Sequence, residues 1–145
     1  MRIYFDCCCY NRPFDDITQL RVRLEAESVL AILRIVRDRG WTLISSDVVD
    51  LELSKIKDAV KRSKVAELCT LAHEKILTTP FIASRANELQ ALGVKTLDSF
   101  HVAIAECSNV DILFTTDDRL ENLASKLSIL VRVINPLKWL PEEIS

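Results

Sequence analysis

The sequence predicts a single α/β domain in which helices flank a central, mainly parallel sheet. Short apolar segments of β-prone residues alternate along the chain with longer segments of helical periodicity. The chain has 145 residues, of which 49% are hydrophobic, and this suits one domain with a sizeable core. No internal repeat, linker or low-complexity segment divides it, so we expect residues 1–145 to form one unit.

The first predicted strand, Arg2–Phe5, is short and apolar, and a loop rich in polar residues and proline follows it. Apolar residues then recur at spacings of three and four, which predicts a helix over Thr18–Arg39. Gly40 directly after this helix suits a left-handed C-cap. The segment Trp41–Ile44 is the second strand candidate.

Two more helices are predicted before the middle of the chain. Ser45, Ser46 and Asp47 are residues that favour N-caps, so a helix is expected to start there and to run to about Ile56. A second helical pattern covers Asp58–Ile76.

The second half continues the alternation of helices and strands, which implies right-handed crossovers between parallel strands. The predicted elements are a helix over Arg85–Leu92, a helix that begins at Thr96 or Asp98, a strand over Asp111–Thr115, a helix over Asp118–Lys126 and a strand over Ile129–Ile134.

Composition excludes several classes of function. Lys plus Arg total 19 and Asp plus Glu total 21, so the net charge of −2 gives no strong global attraction to nucleic acid or membrane. With two glycines and no G-x-G-x-x-G or G-x-x-x-x-G-K pattern, the common phosphate-binding loops are ruled out. No signal peptide or membrane-length apolar run is visible and no C-x-x-C pair occurs, so we expect a reduced, cytoplasmic protein without a membrane partner.

Four carboxylates lie where sites form in an open α/β sheet, near the carboxyl ends of strands. Asp6 ends the first strand, and Asp117 follows the strand that contains Phe114. Asp98 opens a predicted helix. Glu52 lies three residues after Val49 and four before Ile56, at the edge of its helix's apolar face. We therefore expect these four side chains to converge.

Converging carboxylates repel one another unless cations compensate them. Hard oxygen ligands suit Mg²⁺ or Mn²⁺, and such ions can activate water and neutralise a phosphoryl transition state. Metal-dependent phosphodiester hydrolysis is therefore the chemistry that the pattern indicates. The alternative is that each acid caps a helix or lies on a solvated surface.

At these residues the sequence resembles the PIN-domain family, particularly the VapC-type toxin ribonucleases of type II toxin–antitoxin pairs. Four segments and a closing tail carry the resemblance across nearly the whole chain. They are Ile3-Tyr4-Phe5-Asp6, Ser45-Ser46 leading to Glu52-Leu53, Leu97-Asp98-Ser99-Phe100-His101, Phe114-Thr115-Thr116-Asp117, and Val133-Ile134-Asn135-Pro136 with Trp139-Leu140.

The resemblance implies a PIN-like fold, with a central parallel sheet, flanking helices and an acidic pocket. It implies that Asp6, Glu52, Asp98 and Asp117 hold one or two Mg²⁺ or Mn²⁺ ions and that a water attacks an RNA phosphodiester. It also implies a small antitoxin as partner and a homodimer as the assembly.

One departure from the family pattern follows the first aspartate. The family places Thr and then Asn or Ser there, whereas Cys7 and Cys8 stand at these positions. The hydroxyl or amide that would orient the first metal ligand is therefore missing, and Asn11 is a candidate substitute. Free cysteines at the end of a strand also fit a plain core role.

Further residues are candidates for the surroundings of the site. A supporting role near the metal ligands is predicted for Asn11, His101, Thr115 and Asp118. Basic residues that could contact RNA phosphates, or could simply form solvated helix faces, are Arg12, Lys55, Lys57 and Lys61.

Three other functions stay open at the level of sequence. One is a PIN nuclease in RNA maturation or decay that has no antitoxin. Another is a catalytically silent PIN-like module whose acidic pocket only binds a partner, and Cys7 and Cys8 are its best support. A phospho-acceptor regulator of doubly wound design would need a lysine at a suitable strand end, which the sequence lacks.

Overall fold

The computed structural model describes residues 1–144, and within them the chain forms five strands and eight helices. The strands are β1 (Arg2–Phe5), β2 (Thr42–Ser46), β3 (Glu74–Ile76), β4 (Ile112–Phe114) and β5 (Arg132–Ile134). The helices are α1 (Cys7–Asn11), α2 (Leu20–Arg39), α3 (Asp47–Ser54), α4 (Ala59–Cys69), α5 (Pro80–Ala91), α6 (Thr96–Cys107), α7 (Asp118–Lys126) and α8 (Pro136–Ile144). A 3₁₀ turn, Arg12–Phe14, joins α1 to the loop before α2.

The strands form one sheet in the order β3-β2-β1-β4-β5, and every neighbouring pair is parallel. The α/β class with a parallel sheet and flanking helices is therefore confirmed. Apart from Arg2 and Thr42, the residues of β1, β2 and β4 are buried, as expected for a parallel sheet that is covered on both faces. Their largest buried side chains are Ile3, Tyr4, Phe5, Leu43, Ile44, Leu113 and Phe114.

The strand order determines where a crevice opens. From β1 the chain crosses to β2 and β3 on one side, and it returns to β4 and β5 on the other. In an open parallel sheet, ligands bind outside the carboxyl ends of the strands at such a reversal. The carboxyl ends of β1 and β4 lie side by side here, because Phe5 pairs with Phe114.

One predicted helix is wrong in its second half. The helix expected over Asp58–Ile76 ends at Cys69, and Glu74–Ile76 forms the edge strand β3. His73 is held at Leu43 by two hydrogen bonds, one from its backbone N–H and one to its ring Nδ1. Pairing with β2 thus overrides the helical spacing of the apolar residues.

Other boundaries differ at the starts of helices. The cysteine run predicted as the end of a strand is the short helix α1, which Asp6 caps. Helix α5 begins at Pro80 rather than at Arg85, because the Thr79 side chain caps it and proline suits the first helical position. Gly40 takes the left-handed C-cap conformation predicted for it, with φ of 65°.

Within residues 1–144, no helix is long and apolar enough to cross a membrane.

Candidate functional site

A cleft of about 370 Å³ opens at the carboxyl ends of β1 and β4. All four carboxylates that the sequence singled out line it, although they lie 46, 46 and 19 positions apart along the chain. Its lining residues are Asp6, Cys7, Cys8, Arg12, Glu52, Asp98, His101, Thr116 and Asp117. The structure therefore brings the four acids together in one crevice, as the sequence predicted.

Two of the carboxylates are held at the starts of helices. Asp6 follows β1 directly and caps α1, because its Oδ1 accepts a hydrogen bond from the N–H of Cys9 at 3.2 Å. Asp117 caps α7 in the same way through the N–H groups of Arg119 and Leu120. In both caps Oδ1 is the accepting atom, so each carboxylate is held at the start of a helix that borders the cleft. The positive end of a helix dipole also favours a carboxylate at such a position.

The other two carboxylates project from helices. Asp98 is in the first turn of α6, and its side chain makes no hydrogen bond or ion pair within residues 1–144. Glu52 lies on α3, where its Oε1 contacts Nε2 of His101. Asp98 and Glu52 thus reach the cleft from two different helices.

A buried chain of hydrogen bonds holds Glu52. The other ring nitrogen of His101, Nδ1, lies 2.6 Å from the Tyr4 hydroxyl, which lies 2.6 Å from Oγ of Ser46. Ser46 Oγ in turn accepts the N–H of Val49 and caps α3. All of these hydrogen bonds are satisfied when Nε2 of His101 carries the hydrogen and donates to Glu52. Nδ1 then accepts from the Tyr4 hydroxyl, and the Tyr4 oxygen accepts from the Ser46 hydroxyl. The side chain of Glu52 is therefore oriented by residues from β1, β2 and α6.

The electrostatics of the cleft favour a bound cation. Burial raises the pKa of Asp6 well above its usual range. Burial also raises the pKa of Asp98, and the charge of Asp117 adds to that shift. Within residues 1–144 none of the four carboxylates pairs with a lysine or arginine, and Glu52 is held by its hydrogen bond with the His101 ring. Ionisation of these carboxylates is therefore costly in the metal-free cleft, and a bound cation would offset that cost.

The four carboxylates share the cleft without forming a tight cage. No three of them bring oxygens within 4.8 Å of one another in the described residues. Oxygen ligands at this wider spacing fit a hard cation such as Mg²⁺, which commonly keeps several waters and takes one or two carboxylates directly. The oxygen donors are therefore of the type that the predicted ion would take.

Of the four residues predicted to support the site, one lines the cleft and three do not. His101 lines the cleft, and buried Thr115 lies beneath it, with its hydroxyl 3.8 Å from the Cys8 sulfur and accepting the N–H of Asp117. Asn11 does not line the cleft, and its amide group lies 4.0 Å from the Cys7 sulfur. Asp118 is exposed, forms a bidentate ion pair with Arg21 and does not line the cleft.

The candidate RNA-contacting residues also separate into two groups. Arg12 borders the cleft, where it pairs with Asp15 and with the buried Glu25. Lys61 pairs with Asp15 at 2.5 Å. The other two, Lys55 and Lys57, are exposed and form no ion pair within residues 1–144.

Sequence reasoning missed two residues that shape this site. Glu25, which is 1% exposed, fixes Arg12 at the cleft and binds the Asn135 amide at 2.6 Å. It lies three residues after Val22 and four before Val29, so its place on the apolar stripe of α2 was the available signal. A plain core role is the sequence expectation for Cys8, but its thiol donates to Asp6 Oδ1 at 2.7 Å inside the cleft.

Comparisons with known proteins support the fold by structure rather than by sequence. No protein-family model matches the chain, and no curated protein matches it in sequence. Fifteen chains of solved structures match it. One belongs to the crystal structure of VapBC2 from Rickettsia felis bound to a DNA fragment from their promoter, with a TM-score of 0.65 and 14% identity over 93% of this chain and 98% of that chain. The chain therefore has a PIN-like fold of the VapC kind.

Proposed function

We propose that this protein is a metal-dependent endoribonuclease that hydrolyses RNA phosphodiesters with the help of Mg²⁺ or Mn²⁺. One observation carries the proposal: four carboxylates from four distant segments line one cleft at the carboxyl ends of β1 and β4. Such a concentration of negative charge is costly in the absence of a cation. The resemblance of the motif segments to the PIN-domain toxin ribonucleases favours RNA as the substrate.

A bound divalent ion would activate water and neutralise charge on the phosphodiester in the transition state. The residues that would hold it are Asp6, Glu52, Asp98 and Asp117. Asp6 and Asp117 are fixed by their caps, so they offer oxygens whose positions change little when the site is loaded. The Asp98 side chain makes no hydrogen bond within residues 1–144, so its oxygens are available to an ion or to a water proton.

The chain's own cation at the cleft is Arg12. Its guanidinium binds Asp15 and Glu25, which fixes it beside the carboxylates. A fixed guanidinium at this border suits a phosphate group that approaches the acidic interior, because arginine matches phosphate oxygens with paired donors. We propose that Arg12 orients the RNA backbone relative to the carboxylates.

Cleavage of a labelled single-stranded RNA by the purified protein tests this function. We expect cleavage with Mg²⁺ or Mn²⁺, loss of cleavage with a chelator and its return when the metal is restored. Asp98→Asn should abolish cleavage, whereas Asp38→Asn, which changes an exposed acid outside the cleft, should cleave like the parent. Cleavage that survives in Asp98→Asn and Asp6→Asn would overturn the site and point to a contaminating nuclease.

We further propose that the protein is the toxin of a toxin–antitoxin pair, with a small antitoxin that inserts a segment near the cleft. The structural likeness to a chain of the VapBC2 complex supports this partner. Co-expression with a short protein encoded directly upstream should give a stable complex in which RNA cleavage is blocked. Active enzyme with no such neighbouring gene would favour a nuclease of RNA maturation or decay instead.

We also propose a homodimer, as the resemblance implies. Sedimentation of the purified protein at several concentrations tests it, and a single species of 16.5 kDa at all of them would contradict it. A dimer that binds the antitoxin but cleaves no RNA under any metal condition would instead favour a silent binding module.

A further inference from the structure

The cysteine run places sulfur next to the first carboxylate of the cleft. Asp6, Cys8 and Cys9 form the one group of three or more ligand-type side chains in residues 1–144 whose ligand atoms lie within 4.8 Å of one another. Cys8 is the second residue of α1 and Asp6 is its cap, so the first helical turn brings the two side chains together. The thiol and the carboxylate oxygen are 2.7 Å apart and share a hydrogen.

Cys8 is the member of the run that is placed to meet a ligand. Its side chain is partly exposed and lines the cleft, whereas Cys9 is fully buried in the core. Cys7 also borders the cleft but is 4% exposed, and its sulfur does not belong to the group of close ligand atoms. The Cys8 sulfur is also approached by the Thr116 N–H at 3.4 Å, a donor that would stabilise negative charge on it.

A thiolate changes which metals a carboxylate site prefers. Mg²⁺ takes oxygen ligands, whereas sulfur selects Zn²⁺ and related thiophilic ions. With Zn–O near 2.0 Å and Zn–S near 2.3 Å, a tetrahedral ion separates its oxygen and sulfur ligands by roughly 3.5 Å. The present separation of 2.7 Å would thus have to widen by less than about 1 Å, which a partly exposed side chain can accommodate.

We propose that Asp6 and Cys8 together form a mixed oxygen–sulfur site for a thiophilic divalent cation of the Zn²⁺ class at the floor of the cleft. The metal would replace the hydrogen now shared by the two groups, so the thiol proton leaves to solvent as the sulfur binds. In the described residues no further carboxylate oxygen lies within 4.8 Å of both atoms, so water would complete the coordination. This inference rests on the proposed function, because it assigns a metal class to the same cleft.

Spectroscopy with Co²⁺ tests the sulfur ligand without any measurement of activity. The full chain is freed of metal with a chelator, kept reduced with a non-thiol reductant and titrated with Co²⁺. A cobalt–thiolate bond gives a charge-transfer band in the near ultraviolet, and Zn²⁺ should abolish it by displacement. We expect the band in the parent and in Cys107→Ser, a control at an exposed cysteine outside the cleft, and not in Cys8→Ser or Cys8→Ala.

Affinities distinguish this inference from the proposed function. Cys8→Ser should weaken Zn²⁺ binding by at least about tenfold, since loss of a partner outside the ligand set already costs about that much. Its Mn²⁺ affinity should stay within a few-fold of the parent's, and circular dichroism should show the same fold. Mn²⁺ binding without the cobalt band, or a band that persists in Cys8→Ser, would overturn the sulfur site and leave the nuclease proposal standing. Failure of every divalent ion to bind would overturn both.

Discussion

Glu52 is the carboxylate of the cleft whose orientation depends most on other residues. His101 connects it to Tyr4 and Ser46 through consecutive hydrogen bonds in the core. Replacement of side chains that orient metal ligands in this way commonly lowers metal affinity by roughly 10- to 100-fold. We therefore regard His101 as a positioning residue rather than a ligand.

Replacement of His101 tests this role. His101→Ala should lower Mn²⁺ affinity roughly tenfold, because Glu52 loses its hydrogen-bond donor. His101→Gln should restore most of that loss, since an amide offers Glu52 a donor and Tyr4 an acceptor. Isothermal titration with Mn²⁺ measures both variants, and thermal unfolding checks that they fold. Equal affinities in His101→Ala and the parent would contradict the role.

Asp98 links metal-free stability to pH. Its folded-state pKa is raised, so between its unfolded and folded pKa values the folded protein holds more protons than the unfolded chain. The free energy of unfolding should therefore fall as the pH rises through that window. Asp98→Asn removes this cost and should be more stable than the parent at neutral pH.

Urea unfolding in chelator at about pH 4 and about pH 7 measures this effect, because the two values lie near and well above the ordinary pKa of an aspartate. The advantage of Asp98→Asn should be small at the lower pH and larger at the higher one. Asp38→Asn, at an exposed acid outside the cleft, serves as the control. An Asp98→Asn variant that is less stable than the parent at both pH values would show that Asp98 is a structural residue.

At the scale of elements, helix starts hold the site, and α7 offers a way to separate structure from metal binding. Asp117→Ala should lower the free energy of unfolding by about 1 kcal/mol, because the cap of α7 is lost. Asp117→Asn should keep most of the stability, since asparagine caps helices equally well. Both variants should bind Mn²⁺ more weakly than the parent.

Chemical denaturation and Mn²⁺ titration of the same samples test the two effects together. If Asp117→Asn kept the parent's metal affinity, Asp117 would be a helix cap and nothing more. If Asp117→Ala cost no stability, the two N–H groups at the start of α7 would have found another acceptor.

Some of these elements could be predicted from the sequence and one strand could not. Alternating apolar and helical segments suffice to predict β1, α2, β4 and α7, because their patterns arise from burial against one sheet. β3 could not be predicted, since Glu74–Ile76 is mostly polar and exposed and becomes a strand only by pairing with β2. The chain's local pattern carries no trace of that long-range pairing.

At the scale of the whole molecule, charge is distributed unevenly around a net value of −2. The cleft is acidic, whereas exposed Lys55 and Lys57 follow α3, the helix that carries Glu52. We propose that these lysines contact RNA phosphates beside the cleft. Binding of single-stranded RNA should then weaken with salt. The logarithm of the binding constant should fall linearly with the logarithm of the salt concentration, with a slope of about −0.7 for each phosphate contact.

The inactive Asp98→Asn protein allows this slope to be measured without cleavage. Adding Lys55→Ala and Lys57→Ala to it should make the salt dependence shallower, as fluorescence anisotropy with a labelled RNA would show. Lys126→Ala, at an exposed lysine that does not line the cleft, should leave the slope unchanged. An unchanged slope in the double lysine variant would assign both residues to a solvated helix face.

The location of the cleft follows from the sequence more fully than its chemistry does. The alternation of strands and helices, with acids near the carboxyl ends of strands and at helix starts or faces, predicts that Asp6, Glu52, Asp98 and Asp117 meet at one edge of the sheet. The hydrogen bonds of Tyr4 and His101 and the closeness of Cys8 to Asp6 depend on side-chain packing between distant segments. Such contacts leave no periodic signal in the sequence.

The central claim is that one divalent cation site is built from these four carboxylates. Crystals of the full chain soaked in Mn²⁺ test it most directly, through anomalous difference density collected near the manganese absorption edge. We predict a strong peak inside the cleft, in direct contact with at least one of the four carboxylates and within a water-mediated distance of the others. A cleft without such a peak, in crystals that bind Mn²⁺ elsewhere or not at all, would contradict the account.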